Sequence, residues 1–268
     1  MQNLLSANLF HLRRHKAFWA AALFMVVYAL AEAVGLYRQG DSVVGDGLFA
    51  FLSFFGVVLA AFCTLYLGTE YHDGTIRNKV AAGFRRGQIY GAYLLACLFG
   101  GVILWAVYVV VYLAVGLPLL GGELGSPLQL GTSLLGCLLI TAVWVSLYTC
   151  LVNLIQAKST VTAAAILLAF AMLLGSMFLY SRLDEPQVYA YTDRGFVAGE
   201  TNPNYLQGAQ RTVYEALFDV LPDGQGLQIL TQSVEVPKEL GIHAGVAAGL
   251  VVLTTGLGMS GFQRKNLK

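Results

Sequence analysis

The sequence predicts an all-α membrane protein with six transmembrane helices, and three observations predict it. Six apolar runs, at 17–36, 48–68, 89–116, 128–155, 160–180 and 241–261, match the ~20 helical residues that cross a ~30 Å hydrocarbon layer. Hydrophobic residues make up 57% of the chain and charged residues 12%, against about 25% charged in a soluble domain. The cations, finally, are sorted to one side of the runs. Lipid offers the backbone no hydrogen bonds, so runs of this length satisfy their own amides and carbonyls as helices.

The sorting sets the orientation. Arg13, Arg14, Lys16, Arg77, Lys79, Arg85, Arg86, Lys158, Arg264, Lys265 and Lys268 fall in the termini or after the second and fourth runs, opposed there only by Glu70 and Asp73. On the other side Arg38, Arg182, Arg194, Arg211 and Lys238 stand among twelve carboxylates. The positive-inside rule places both termini in the cytoplasm. The opening residues, cations before an apolar run that ends in Ala31-Glu32-Ala33, resemble a secretory signal with an A-x-A cleavage site. An uncleaved first span is the expected reading, because losing it would leave five spans with mismatched ends.

Along the chain, the first span carries Glu32, and a carboxylate within a span costs a few kcal/mol on insertion scales. It lies within about a turn of the external end, so a polar contact at the interface or bundle face is expected, not a substrate ligand. Asn153, Gln156 and Lys158 pose the same case at the cytoplasmic end of the fourth span. Cys63, Cys97, Cys137 and Cys150 lie inside spans without CxxC or CxxH spacing, and read as small buried hydrophobes, neither disulfides nor metal ligands. The connections 37–47, 117–127 and 156–159 are short. In the sixth span Gly241, Gly245 and Gly249 repeat every fourth residue, a spacing that lets helix backbones approach. They predict a packing face, expected to meet another span of the same chain.

The stretch 181–240 is the one external segment long enough for a small helical subdomain. Asn202-Pro203 reads as an N-cap followed by Pro at the first helical position. Val213, Ala216, Leu217 and Val220 then recur at helical spacing. Leu221-Pro222-Asp223-Gly224 stops that helix, and Gly226–Leu230 opens a second, short one. A helix beside a membrane usually lies on its surface or caps the bundle. A gate over an exit path is the sharper alternative.

Enzyme motifs are absent. The chain has no GxxxxGK[ST] phosphate loop, no HExxH and no GxSxG elbow. Gly256-x-Gly258-x-x-Gly261 matches the dinucleotide fingerprint formally, but at the end of a span and with no strand before it, so it is coincidence. His11, His15, His72 and His243 are scattered and read as solvated or interfacial residues.

The most specific segment is cytoplasmic: Glu70-Tyr71-His72-Asp73-Gly74-Thr75-Ile76-Arg77-Asn78-Lys79-Val80, then Gly83-Phe84-Arg85-Arg86. Gly74-Thr75 breaks from the second span and caps a short helix over 76–82, and Gly83 stops it. Arg85 and Arg86 anchor the third span at the headgroups. A basic loop held by anionic lipid, at about 1 kcal/mol per cation, is the plainer reading. Apolar residues interleaved with cations fit a docking helix better.

An acidic residue after the second span, then Gly-Thr-Ile-Arg-Asn-Lys, then a Gly-x-x-Arg turn into the third span, resembles the type-2 permeases of ATP-binding-cassette (ABC) exporters. Six spans and an enlarged connection before the last one also fit that family. The resemblance implies a bacterial plasma-membrane protein, itself not an enzyme, that moves substrate while a separate ABC ATPase binds ATP and Mg. It implies a second permease subunit (the same chain or a related one), contact with membrane lipids and no nucleic acid. It makes 1–16 an amphipathic elbow and 70–88 the ATPase-coupling segment, with Glu70, Asp73, Gly74, Thr75, Ile76, Arg77, Asn78, Lys79, Gly83, Arg85 and Arg86 as coupling residues. The external Asn202, Pro203, Tyr205, Arg211, Tyr214, Pro222 and Gln225 resemble a pattern in Gram-positive permeases and are the candidate external gate. The alternative is a permease-like sensor or immunity protein that binds a peptide at 181–240 and transports nothing. Substrate identity stays open.

Overall fold

The computed structural model describes residues 2–40, 42–122, 124–155, 157–188, 201–231 and 236–264. Expectations for 189–200, Gln156, Lys265 and Lys268 lie outside these. The described residues form helices α1 (Gln2–Arg14), α2 (Lys16–Gln39), α3 (Val44–Gly47), α4 (Leu52–His72), α5 (Thr75–Ala81), α6 (Arg86–Leu120), α7 (Pro127–Ile155), α8 (Lys158–Leu183), α9 (Gly208–Val220), α10 (Pro222–Thr231) and α11 (Val236–Arg264). Six helical stretches, namely α2, α3 with α4, α6, α7, α8 and α11, are long and apolar enough to cross a membrane. This is a multi-pass membrane protein. The expected runs are all present, with ends that differ from the expected ones by a few residues.

Among the spans, α4 and α7 are the most buried and α11 the least. Tyr148 on α7 stacks on Trp144 (centroids 5.2 Å apart) and donates its hydroxyl to the Gly56 carbonyl of α4 at 2.9 Å. Gly56 is required there, since a Cβ would stand 2.7 Å from the Trp144 ring. Lipid tails are as apolar as leucine, so close fits and interhelical hydrogen bonds of this kind hold the spans together.

The second span does not start as a regular helix. Residues 44–51 make one short helical turn and then tight turns before α4 begins, with backbone bonds such as Ala50 N to Gly47 O and Ser53 N to Ala50 O closing i to i+3. Three tyrosines add hydroxyl donors to this segment: Tyr112 donates to Val44 O, Tyr108 to Gly47 O and Tyr28 to Ala50 O, each at 2.9 Å. Irregular backbone at membrane depth is tolerated where side chains satisfy it in this way.

The last span corrects one expectation. At Gly241, Gly245 and Gly249 an added Cβ would meet nothing within 4 Å, so this stripe does not pack inside the chain. The close approach comes lower down. A Cβ at Gly258 would lie 3.0 Å from the Cys150 backbone of α7 and against the Tyr90 hydroxyl of α6, and one at Gly261 would lie 2.8 Å from Leu154. Two glycines of the chance dinucleotide match are therefore packing residues, and Thr254 adds a 2.9 Å hydrogen bond to Ser146 beside them. Gly258→Ala is expected to cost about 1–3 kcal/mol by overpacking. Gly249→Ala should gain about 0.5–1 kcal/mol of helix propensity. Thermal unfolding of both in one detergent checks the pair, and equal effects would contradict the packing described.

Candidate functional site

The helix ends carrying most of the cations share one face of the bundle, and the segment between α4 and α6 is built there. Gly74 takes a left-handed conformation (φ 70°) that turns the chain out of α4. At the other end of α5 Gly83 is also left-handed (φ 87°). Its amide donates to Val80 O at 3.0 Å, and the Phe84 amide to Lys79 O at 3.3 Å. These two bonds form a Schellman stop. The helix starts at Thr75, one residue before the expected 76, with Gly74 as its cap.

Its inner side holds a buried ion pair. Lys79 Nζ lies 3.0 Å from Glu70 Oε2, with the two side chains 18% and 6% exposed, so water cannot stabilise the charges unaided. Lys79 donates its other protons to Asn8 Oδ1 (2.8 Å) and the Tyr93 hydroxyl (2.6 Å). All three ammonium protons are thus used. Glu70 Oε2 also accepts from Tyr93 at 2.7 Å and from the Thr75 hydroxyl at 2.6 Å, and His11 Nδ1 stands 3.3 Å from Oε1. Tyr66 closes the cluster by donating to Asn8 O at 2.9 Å. One carboxylate therefore joins α1, α4, α5 and α6.

This divides the expected coupling residues. Glu70 and Ile76 are buried and Thr75 and Lys79 partly so, within the cluster or beside it. Asp73, Arg77, Asn78, Gly83 and Arg85 are exposed on the outer side, and Gly74 is partly exposed. Lys79 thus commits all of its donors to the cluster. Arg86 is tied to the end of the last span. Its guanidinium donates to the Phe262 and Gln263 carbonyls at 3.0 and 2.9 Å, closing the last turn of α11. Sequence reasoning missed Asn8, His11, Tyr66 and Tyr93. Asn8 had left one trace, a polar residue between Leu4 and Leu12 on the buried stripe of α1.

The opposite face carries a helical hairpin, α9 and α10. Asn202 does not cap a helix, because α9 begins at Gly208. Its side chain instead donates to Glu185 Oε2 (2.8 Å) and Pro186 O (3.1 Å) and accepts from the Asn204 amide (2.8 Å). It thereby ties 201–205 to the end of α8, with Pro203 exposed in the turn. The second helix starts at Pro222 and not at Gly226, since Pro suits a first helical position. Pro222 and Gln225 are buried, and Gln225 donates to Asp219 O at 2.7 Å. Arg211 pairs with Glu215 at 2.9 Å over the Tyr205 ring, and Tyr214 is partly exposed. The candidate gate residues are therefore split between a surface turn and a buried plug seated on α4, α7 and α8.

Elsewhere, Glu32 is half-buried two turns before the end of α2. Asn153 accepts from the Tyr71 hydroxyl, and Lys158 donates to Thr69 at 2.8 Å, so both fasten α4 to its neighbours. No protein-family model and no curated protein matches the chain.

Proposed function

We propose that the chain is the membrane subunit of an ATP-driven transporter of the type-2 ABC exporter class. A separate ATPase binds ATP and Mg, a second permease subunit completes the path, and the basic face lies in the cytoplasm. One observation carries this reading. A seven-residue helix, bracketed by two left-handed glycines, anchors its inner side in three other helices and leaves Arg77, Asn78 and Arg85 free for a partner. A solvated loop would need neither bracket nor anchor. In this reading the ATPases push on α5, and Glu70 passes the displacement to α1, α4 and α6 together. The sensor reading gains less support, because α10 turns its polar residues into the bundle and away from a peptide.

Arg77→Glu tests the proposal. The variant should remain in the membrane and keep its unfolding temperature, since Arg77 is exposed, while ATPase co-purification and coupled ATP hydrolysis fall at least about tenfold, or 1.4 kcal/mol. Unchanged hydrolysis and co-purification would remove the assigned role.

A further inference from the structure

The hairpin places an acid where nothing described compensates it. Asp223, in the first turn of α10, is 5% exposed, and its Oδ2 has no hydrogen-bond partner among the described residues. Its neighbours are committed elsewhere. Gln225 donates to Asp219 O, Gln228 donates to Asp219 Oδ1 at 2.8 Å, and His243 stands 3.5 Å from the same oxygen. Asp219 thus takes both glutamine amides, His243 makes no hydrogen bond through Nε2, and Asp223 Oδ2 receives no donor among the described residues.

Among the described residues, no cation on the elements packed on α10 pairs with Asp223 either. From α7, Tyr148 lies within electrostatic range, but its hydroxyl is donated to Gly56. Cys137 lies on the same helix, buried as a free thiol. Tyr180 on α8 rests on the Phe218 ring, Arg182 makes no described ion pair with Asp223, and the end of α4 nearest the hairpin, residues 52–56, carries no ionisable group. On α9 the nearest charge is Asp219, of the same sign. A carboxylate buried without cation or donors costs several kcal/mol, and a group in that position takes up a proton instead. Burial pushes the Asp223 carboxyl up to about 7.

We propose that Asp223 is a proton-binding site that seats α10: with the proton bound the neutral acid stays in the bundle, and when the proton leaves the helix unseats. The sign follows from linkage. The seated form holds its proton more tightly than an exposed carboxyl, so seating is complete in acid and weakens as pH rises between about 4 and about 7, at most tenfold per pH unit, then levels off. This inference does not depend on an ATPase partner.

Hydrogen exchange of the 222–231 peptide in the full-length protein, corrected for the intrinsic pH dependence of exchange, tests it. Opening of α10 should rise about fiftyfold from pH 5 to pH 7 and only about twofold more by pH 8. Asp223→Asn, which mimics the neutral acid, should remain protected throughout. His243→Gln should keep the wild-type profile, which separates Asp223 from the Asp219–His243 pair. A flat wild-type profile overturns the proposal without reference to any variant. So does a wild-type response in Asp223→Asn, or its loss in His243→Gln alone.

Discussion

Replacing Lys79 with Met is expected to destabilise the protein by about 3–5 kcal/mol, the largest effect of any single side chain on the basic face. Its ammonium is the cation beside Glu70, and its removal leaves a carboxylate 6% exposed with hydroxyls and His11 for company. It also strips acceptors Asn8 Oδ1 and the Tyr93 hydroxyl of their donor. Chemical unfolding in detergent measures the cost, and under about 1 kcal/mol, the range of a solvated pair, would mean that Glu70 is not buried as described. The double variant Glu70→Leu with Lys79→Met should recover a large part of the loss, because removing both charges leaves no isolated ion. Arg77→Glu, two residues away, should not change stability at all. The contrast separates holding α5 in place from what α5 offers to a partner.

Gly224→Ala is expected to unseat the hairpin at a cost of about 3 kcal/mol, the upper end of overpacking. An added Cβ there would fall on the Phe218 carbonyl oxygen, with the carbonyl carbon only 3.0 Å away. Backbone cannot swing aside as the tip of a side chain can, so α9 and α10 must separate. Gly136→Ala is the control. Its new methyl meets only the Ile229 side chain, closest at Cδ1 (2.7 Å), a flexible end that can rotate away. Exchange protection of 208–231 should collapse in the first variant and survive in the second. Equal protection would show that the Phe218–Gly224 contact is not what seats the hairpin.

The spans were legible in the sequence because lipid imposes length and polarity on every crossing segment. The bracket around α5 was legible too, since left-handed turns leave glycines as their mark. The Glu70 cluster was not. Asn8, Glu70, Lys79 and Tyr93 belong to four helices, and spacing along a chain says nothing about which helix ends converge. The plug was hidden for a different reason: Pro222-Asp223-Gly224-Gln225-Gly226 has the composition of a turn, and only tertiary packing makes it a buried helix. The glycine repeat misled in the sixth span, because small residues mark where a neighbour could approach without saying that one does. Gly258 and Gly261, outside that repeat, make the contact.

The tyrosine bonds to residues 44–51 have a mechanical consequence. Continuous α-helix transmits torque because each turn is bonded to the next. At the start of the second span the backbone bonds run i to i+3, and hydroxyls from α2 and α6 hold Val44, Gly47 and Ala50 from the side as well. The start of the span is thus tied both to its own next turn and to two neighbouring helices, so a twist of α4 is shared with α2 and α6 at this point.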